Sequence, residues 1–250
     1  MGRKFDLVKC RASIQERMAR IEARLRRFNA REPKRPLIFL GPSLSSEEAR
    51  TILDADFRAP IARGDLVRAL EEGYGVFGVI DGVFHQHLTV SIEEIRYALE
   101  QGASIYGASS MGALRAAEAF PLGMQGVGRI YRWYRDEIID CDDEVAVTFD
   151  AASGKGLSEP AVNLRATLER AEAEGKLGPS EASLLLEAYL KLHFTQRNLR
   201  NLFLTMSESH PPERITVWRR ILEEGWVDQK ALDAVELLRV IGKRHAARTA

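Results

Sequence analysis

The sequence predicts an α/β protein: a small parallel, Rossmann-like sheet flanked by helices, with an N-terminal helix and a C-terminal all-helical lobe. Three observations carry this expectation. Short apolar runs, Leu37–Leu40, Gly75–Ile80 and Ala103–Tyr106, alternate with helical patterns, as parallel strands joined by crossovers require. Each run is closed by small or turn-forming residues, Gly41-Pro42-Ser43, Asp81-Gly82 and Gly107-Ala108-Ser109-Ser110. From Leu157 onward only helical periodicity remains. The expected organisation is a basic helix and linker over 1–35, an α/β core over 36–150 and a helical lobe over 151–250.

In the first segment Ile14, Met18, Ile21 and Leu25 form one apolar stripe, so a helix is expected there, and Arg31–Pro36 reads as a linker. Residues 1–35 hold twelve Lys or Arg against four Asp or Glu, although the chain as a whole is neutral. This arm reads as a solvated helix face, with docking to an acidic partner as the alternative. Only Phe5 and Phe28 stand among its charges, too few for a single-strand stacking surface, so a nucleic-acid partner is not expected.

Leu37–Leu40, unbroken and apolar, fits a strand covered on both faces. A helix begins after Ser45, with Glu47 and Glu48 where its dipole favours anions. Asp65 can cap the helix that runs to Glu72. Ser91-Ile92-Glu93-Glu94 fits a capping box for a helix to about Gln101. Gly123, Gly126 and Gly128 punctuate a connection, Ile130–Tyr134 reads as helical, and Val145–Phe149 as the last strand. In the lobe, Ser158 is expected to cap a helix with Pro160 in its first turn. Ser180–Met206 has a helical period, as do stretches near Pro212–Glu224 and Gln229–Ile241.

The hydrophobic fraction of 45% and charged fraction of 29% suit a globular protein, and no apolar run approaches the ~20 residues of a membrane span. The first residues lack the apolar core of a secretory signal, so the expected location is the cytoplasm. Cys10 and Cys141 are isolated, which favours reduced thiols. Gly41-Pro42-Ser43 and Gly154-Lys155-Gly156 both lack the full phosphate-loop pattern, and Gly123–Gly128 lacks dinucleotide spacing, so no cofactor is expected. The acidic run Asp140, Asp142, Asp143 and Glu144 reads as a charged turn, with a hard-cation site as the alternative; no metal is assigned.

The stretch with most chemistry is Gly107–Glu118. A strand runs into a strong helix former through small residues and two hydroxyls, and such a turn directs free N–H groups at one point. Ala108-Ser109-Ser110-Met111-Gly112 resembles a nucleophile elbow with alanine in the first small position. Ser110 is then the exposed nucleophile, Ser109 its neighbour and alternative, and the N–H groups of Met111 and Gly112 the oxyanion donors. Arg115 and Glu118 follow on the helix face of Gly112. The structural alternative is a capping serine and an ordinary i,i+3 ion pair. Parallel-sheet topology puts Ser43, Asp81 with Gly82, and Ser110 at carboxyl ends of strands, where such sheets bind ligands. His85 and His87 lie just beyond the second strand, with a surface position as the default.

Several blocks together resemble the TfuA-like core domain: Gly41-Pro42-Ser43; Pro60 with Arg63-Gly64-Asp65-Leu66; Ile80-Asp81-Gly82-Val83-Phe84; all of Gly107–Glu118; Gly123–Gly128; and Asp142–Val147. Leu157–Pro160 and Asn163-Leu164-Arg165 extend the resemblance, which spans about residues 36 to 200. The family's Trp-His-Lys-Glu run is Ser91-Ile92-Glu93-Glu94 here, so only Glu94 carries over. The resemblance implies a partner of YcaO-family proteins, which use ATP to activate backbone amides during thioamide formation. It further implies sulfur delivery from a ThiS-like carrier with a C-terminal thiocarboxylate, and contact with a precursor peptide. On that basis Ser110, Arg115, Glu118 and Asp81 are the expected catalytic groups. Ser43, Ser109, Met111, Gly112, Asp65, Gly82, His85 and Glu94 are the expected substrate contacts. The rival expectation is a non-catalytic module that docks and activates a YcaO protein or its substrate.

Overall fold

The computed structural model describes residues 34–84, 89–148 and 156–249. The expected N-terminal helix, Cys10, His85, His87 and Gly154-Lys155 lie outside these residues. A five-stranded, all-parallel sheet forms the centre, in the order β2-β1-β3-β4-β5. Its strands are β1 (Leu37–Phe39), β2 (Asp56–Arg58), β3 (Val76–Val79), β4 (Ser104–Gly107) and β5 (Gln125–Gly126). The chain order reverses between β1 and β3, so the crevice where such sheets bind ligands opens after Phe39 and Val79.

The connecting helices are α1 (Ser46–Ile52), α2 (Asp65–Glu71), α3 (Ile92–Glu100), α4 (Met111–Ala119) and α5 (Gly128–Arg135). Ser45 caps α1 by accepting the N–H of Glu48, and α3 starts with the expected Ser91/Glu94 capping box. Two apolar layers sandwich the sheet. Leu37, Phe39, Phe77, Val79 and Ile105 pack with Ala113, Ala116, Ile130 and Trp133 on one face. Ile38, Leu40, Ile80, Tyr106 and Ala108 pack on the other.

The helical part comprises α6 (Ala161–Ala173), α7 (Pro179–Leu190), α8 (Leu199–Met206), α9 (Pro212–Glu224) and α10 (Gln229–Thr249). A third cluster, centred on Leu164, Leu185, Tyr189, Phe203 and Trp218, holds α6 to α9 together. Helix α10 does otherwise. Its Ala234, Leu237, Leu238 and Ile241 fill the second face of the sheet, beside Ile38 and Ile80.

Three local expectations are corrected. Residues 145–148 form no strand: the Val145 carbonyl accepts from Lys230 Nζ at 3.0 Å, and Thr148 exchanges backbone and side-chain bonds with Leu157 and Ser158. The final strand is instead the glycine-punctuated Gln125–Gly126, paired with β4. Ser158 is spent on that Thr148 contact, so α6 starts after Pro160.

Candidate functional site

The strand β4 hands the chain to α4 through Ala108, Ser109 and Ser110. Glycines permit the close approach. A Cβ at Gly107 would stand 2.1 Å from the Gly112 carbonyl oxygen, and one at Gly112 would stand 1.8 Å from that of Val79. With neither Cβ present, the first turn of α4 sits directly on β3, and Gly112 N–H donates to the Ile80 carbonyl at 3.2 Å. That bond removes Gly112 from the expected pair of oxyanion donors.

Ser109, not Ser110, has the elbow conformation. Its φ is +69°, a left-handed value that costs a non-glycine residue about 1–2 kcal/mol. Its side chain is fully buried, and its Oγ has no hydrogen-bond partner among the described residues. Burial of an unpaired hydroxyl also costs about 1–3 kcal/mol. Two unfavourable features on one serine are a pattern associated with reactive turns. Ser110 precedes α4 without accepting a capping N–H on its hydroxyl, and it is buried (2% exposed), whereas the sequence predicts an exposed nucleophile. The N–H groups of Ser109, Ser110 and Met111 donate to no acceptor among the described residues. They leave a set of donors at the positive end of α4.

Asp81 anchors the neighbouring strand end. The last paired residues of β3 and β4 are Val79 and Gly107, and Ala108 N–H continues the ladder to the Val79 carbonyl at 3.1 Å. Asp81 and Ser109 each follow the last paired residue of their strand by two positions, so both stand at the carboxyl edge of these neighbouring strands. The Asp81 carboxylate accepts from Gly41 N–H at 2.8 Å, Ser43 N–H at 3.1 Å and the Ser43 hydroxyl at 2.6 Å. The β1 turn is thereby folded onto β3, and Gly41 must be glycine because a Cβ there would meet the Pro60 ring at 2.5 Å.

Lys230 completes this edge. It is 3% exposed, donates to the Val145 carbonyl and places its Nζ 4.0 Å from Asp81 Oδ1. Burial lowers its affinity for a proton, while Asp81, Asp228 and Glu159 draw it back toward the ammonium form. Sequence reading passed over it, although a signal was there: Lys230 lies on the same helical stripe as Ala234, Leu237 and Ile241. A lysine on an apolar stripe needs a buried partner.

Beside the turn lies a cleft of about 470 Å³, lined by Phe84, Thr89, Met111, Leu114, Arg115, Glu118 and Asp140–Asp142. Arg115 Nε donates to the Val90 carbonyl at 3.0 Å, and its guanidinium also pairs with Glu118, as the i,i+3 alternative expects. The side chain of Glu118 is 42% exposed, whereas that of Arg115 is largely covered. Gly82 abuts the base of this cleft, where a Cβ would meet Met111 Cγ at 2.7 Å. Asp65 and Glu94 are brought together elsewhere. Asp65 accepts from Ala62 N–H, and Glu94 from Gly64 and Ser91 N–H, so both carboxylates serve the starts of α2 and α3.

Half of the acidic run is also committed. Glu144 forms a bidentate pair with Arg165 at 2.9 and 3.2 Å, and Asp143 receives the buried Arg197 at 2.8 Å. These contacts tie the turn to the helical part, and no metal-holding group of carboxylates, histidines and cysteines occurs among the described residues. Cys141 is an exposed free thiol whose pKa is pushed up by partial burial and the surrounding aspartates.

Fold and site together define a parallel α/β protein of strand order 2-1-3-4-5 with a strained serine turn at the carboxyl edge, where sheets of this kind bind ligands. Within it, residues 81–198 match the family described as TfuA-like protein, in agreement with the resemblance carried by the sequence blocks from Asp81 onward; the Gly41–Ser43 and Pro60–Leu66 blocks lie outside the match. The matched segment begins at Asp81 and includes Ser109 and Arg115, but stops before Lys230. No curated protein sequence matches the chain. No described helix is long and apolar enough to cross a membrane.

Proposed function

We propose that this protein delivers sulfur for YcaO-dependent backbone thioamidation in the cytoplasm, by hydrolysing the C-terminal thiocarboxylate of a ThiS-like carrier. The observation that carries the reading is Ser109, held at φ +69° with an unpartnered hydroxyl beside free N–H groups. The match to the TfuA-like family supports the link to thioamide systems. Ser109 replaces Ser110 as the preferred nucleophile because it alone combines backbone strain with an unsatisfied side chain.

In this reading Ser109 Oγ adds to the acyl carbon, and the developing oxyanion is met by the N–H groups of Ser110 and Met111. The carbon–sulfur bond then breaks. A thiocarboxylate arrives as an anion, so its sulfur needs one proton to depart as hydrosulfide. The serine hydroxyl supplies that proton by way of the Asp81 carboxylate. Water subsequently cleaves the acyl ester, giving the carrier carboxylate and a proton and restoring Ser109. Arg115, on the cleft wall, attracts the anionic tail, while Glu118 holds the guanidinium in place.

One observation favours the non-catalytic alternative. Ser109 and Ser110 are both closed from solvent, which suits a binding module that docks a YcaO protein or precursor peptide by another surface. Under the hydrolytic reading, the carrier tail has to displace this cover. Sulfide release from a thiocarboxylated carrier with no YcaO protein present separates the two. Release that is lost in Ser109→Ala supports hydrolysis, and none from the parent supports the docking module.

A further inference from the structure

The geometry points to Lys230 as a positioning residue of the same site, acting through Asp81 to hold and electrostatically balance a carboxylate at the sheet edge it shares with Ser109. This rests on the hydrolytic reading above and adds to it a residue outside the TfuA-like segment, contributed by the last helix.

Four observations converge. Lys230 Nζ is 4.0 Å from Asp81 Oδ1, and both side chains are at most 4% exposed. Asp81 already accepts three hydrogen bonds from the Gly41–Ser43 turn, so its orientation is fixed from the β1 side and its charge is balanced from the α10 side. Asp81 and Ser109 lie two residues beyond the paired ends of adjacent parallel strands, at one sheet edge. Lys230 itself is aimed by the sheet-bound helix behind it, whose Ala234, Leu237 and Ile241 are fully buried, and by the Val145 carbonyl in front.

An ammonium retained here meets a specific electrostatic need. A buried carboxylate at the reacting edge repels an incoming thiocarboxylate, since both are anions. A cation behind that carboxylate offsets the repulsion. The charged groups facing Lys230 are Asp81 after β3, Asp228 at the start of α10 and Glu159 before α6. Asp228 is bound to Asn163 and to the Ala231 N–H, which leaves Asp81 as the partner at the sheet edge.

The test measures sulfide release against pH for the full chain, as parent, Lys230→Met and Lys230→Arg, each checked for cooperative thermal unfolding. A fluorophosphonate serine probe gives a second readout that needs no carrier. In Lys230→Met, sulfide release and Ser109 labelling are both expected to fall at least tenfold at neutral pH, and the acid limb of each profile to move to higher pH. Lys230→Arg keeps a cation and restores the parent limb. A folded Lys230→Met with unmoved limbs overturns the inference, even if its overall rate is lower. Labelling of Ser109 that depends on Lys230, with no sulfide released by the parent, retains the inference and defeats the thiocarboxylate reading. Neither labelling nor release in the parent overturns both.

Discussion

Asp233 Oδ2 accepts the N–H of Ile130 at 2.7 Å, so a side chain of α10 caps α5 from more than a hundred residues away. Its other oxygen takes the Arg129 N–H at 2.9 Å and the Gln229 amide at 2.7 Å. Gly128, at φ +91°, leaves room for the carboxylate: a Cβ there would stand 2.4 Å from Asp233 Cγ. The last helix is thus pinned to the sheet by the same end that carries Lys230.

Asp233→Ala should therefore cost about 3 kcal/mol, because two buried N–H groups lose a charged acceptor. Urea unfolding at neutral pH checks the value. A loss under 1 kcal/mol would mean that water replaces the carboxylate there.

Ser109→Gly should stabilise the fold while abolishing sulfide release. Glycine removes the left-handed strain at φ +69° and the unpaired hydroxyl, a combined gain of about 1–2 kcal/mol after its own entropic cost. Paired thermal-unfolding and sulfide measurements test this exchange of stability for activity. Ser110→Gly has no left-handed φ to relieve and should not gain stability in that way.

Gly112→Ala should lose more than about 3 kcal/mol, since the added carbon meets backbone rather than a movable side chain. Far-ultraviolet circular dichroism through a denaturant series would show either an early transition or no folded protein. A variant as stable as the parent would contradict the close seating of α4 on β3.

Glu144 gives a pH dependence of defined sign. Burial raises its pKa despite the opposing Arg165 and Arg197, so the folded chain binds this proton more tightly than the unfolded chain. Its contribution is fully present below the ordinary value of 4.5 and is lost as pH rises through the raised folded pKa. Relative to Glu144→Gln, the parent should lose stability across that window, at no more than about 1.4 kcal/mol per pH unit. Unfolding free energies of both proteins from pH 4 to 7 test the direction.

What could be read from the chain followed from how local each feature is. β1, β3 and β4 are apolar runs buried on both faces, and their pattern alone identifies them. Asp56-Phe57-Arg58 was missed because β2 is a half-buried edge with charged ends, specified by its pairing with β1. Val145–Thr148 misled for the opposite reason: it is apolar, but its backbone groups are taken by Lys230, Ser158 and Leu157. The serine turn was legible from its small residues, whereas which serine is strained depends on a backbone angle, φ +69° at Ser109, that side-chain types do not encode. Lys230 meets Asp81 only because α10 returns to the sheet, a tertiary fact without a local motif.

The most direct test incubates the purified protein, without a YcaO partner, with a thiocarboxylated ThiS-like carrier and follows sulfide and the carrier's mass. Parent protein should release hydrosulfide and leave a carboxylate, Ser110→Ala should retain most of the rate, and Ser109→Ala should lose at least a hundredfold. An intact thiocarboxylate with the parent, or undiminished release by a folded Ser109→Ala, would contradict hydrolysis at this turn.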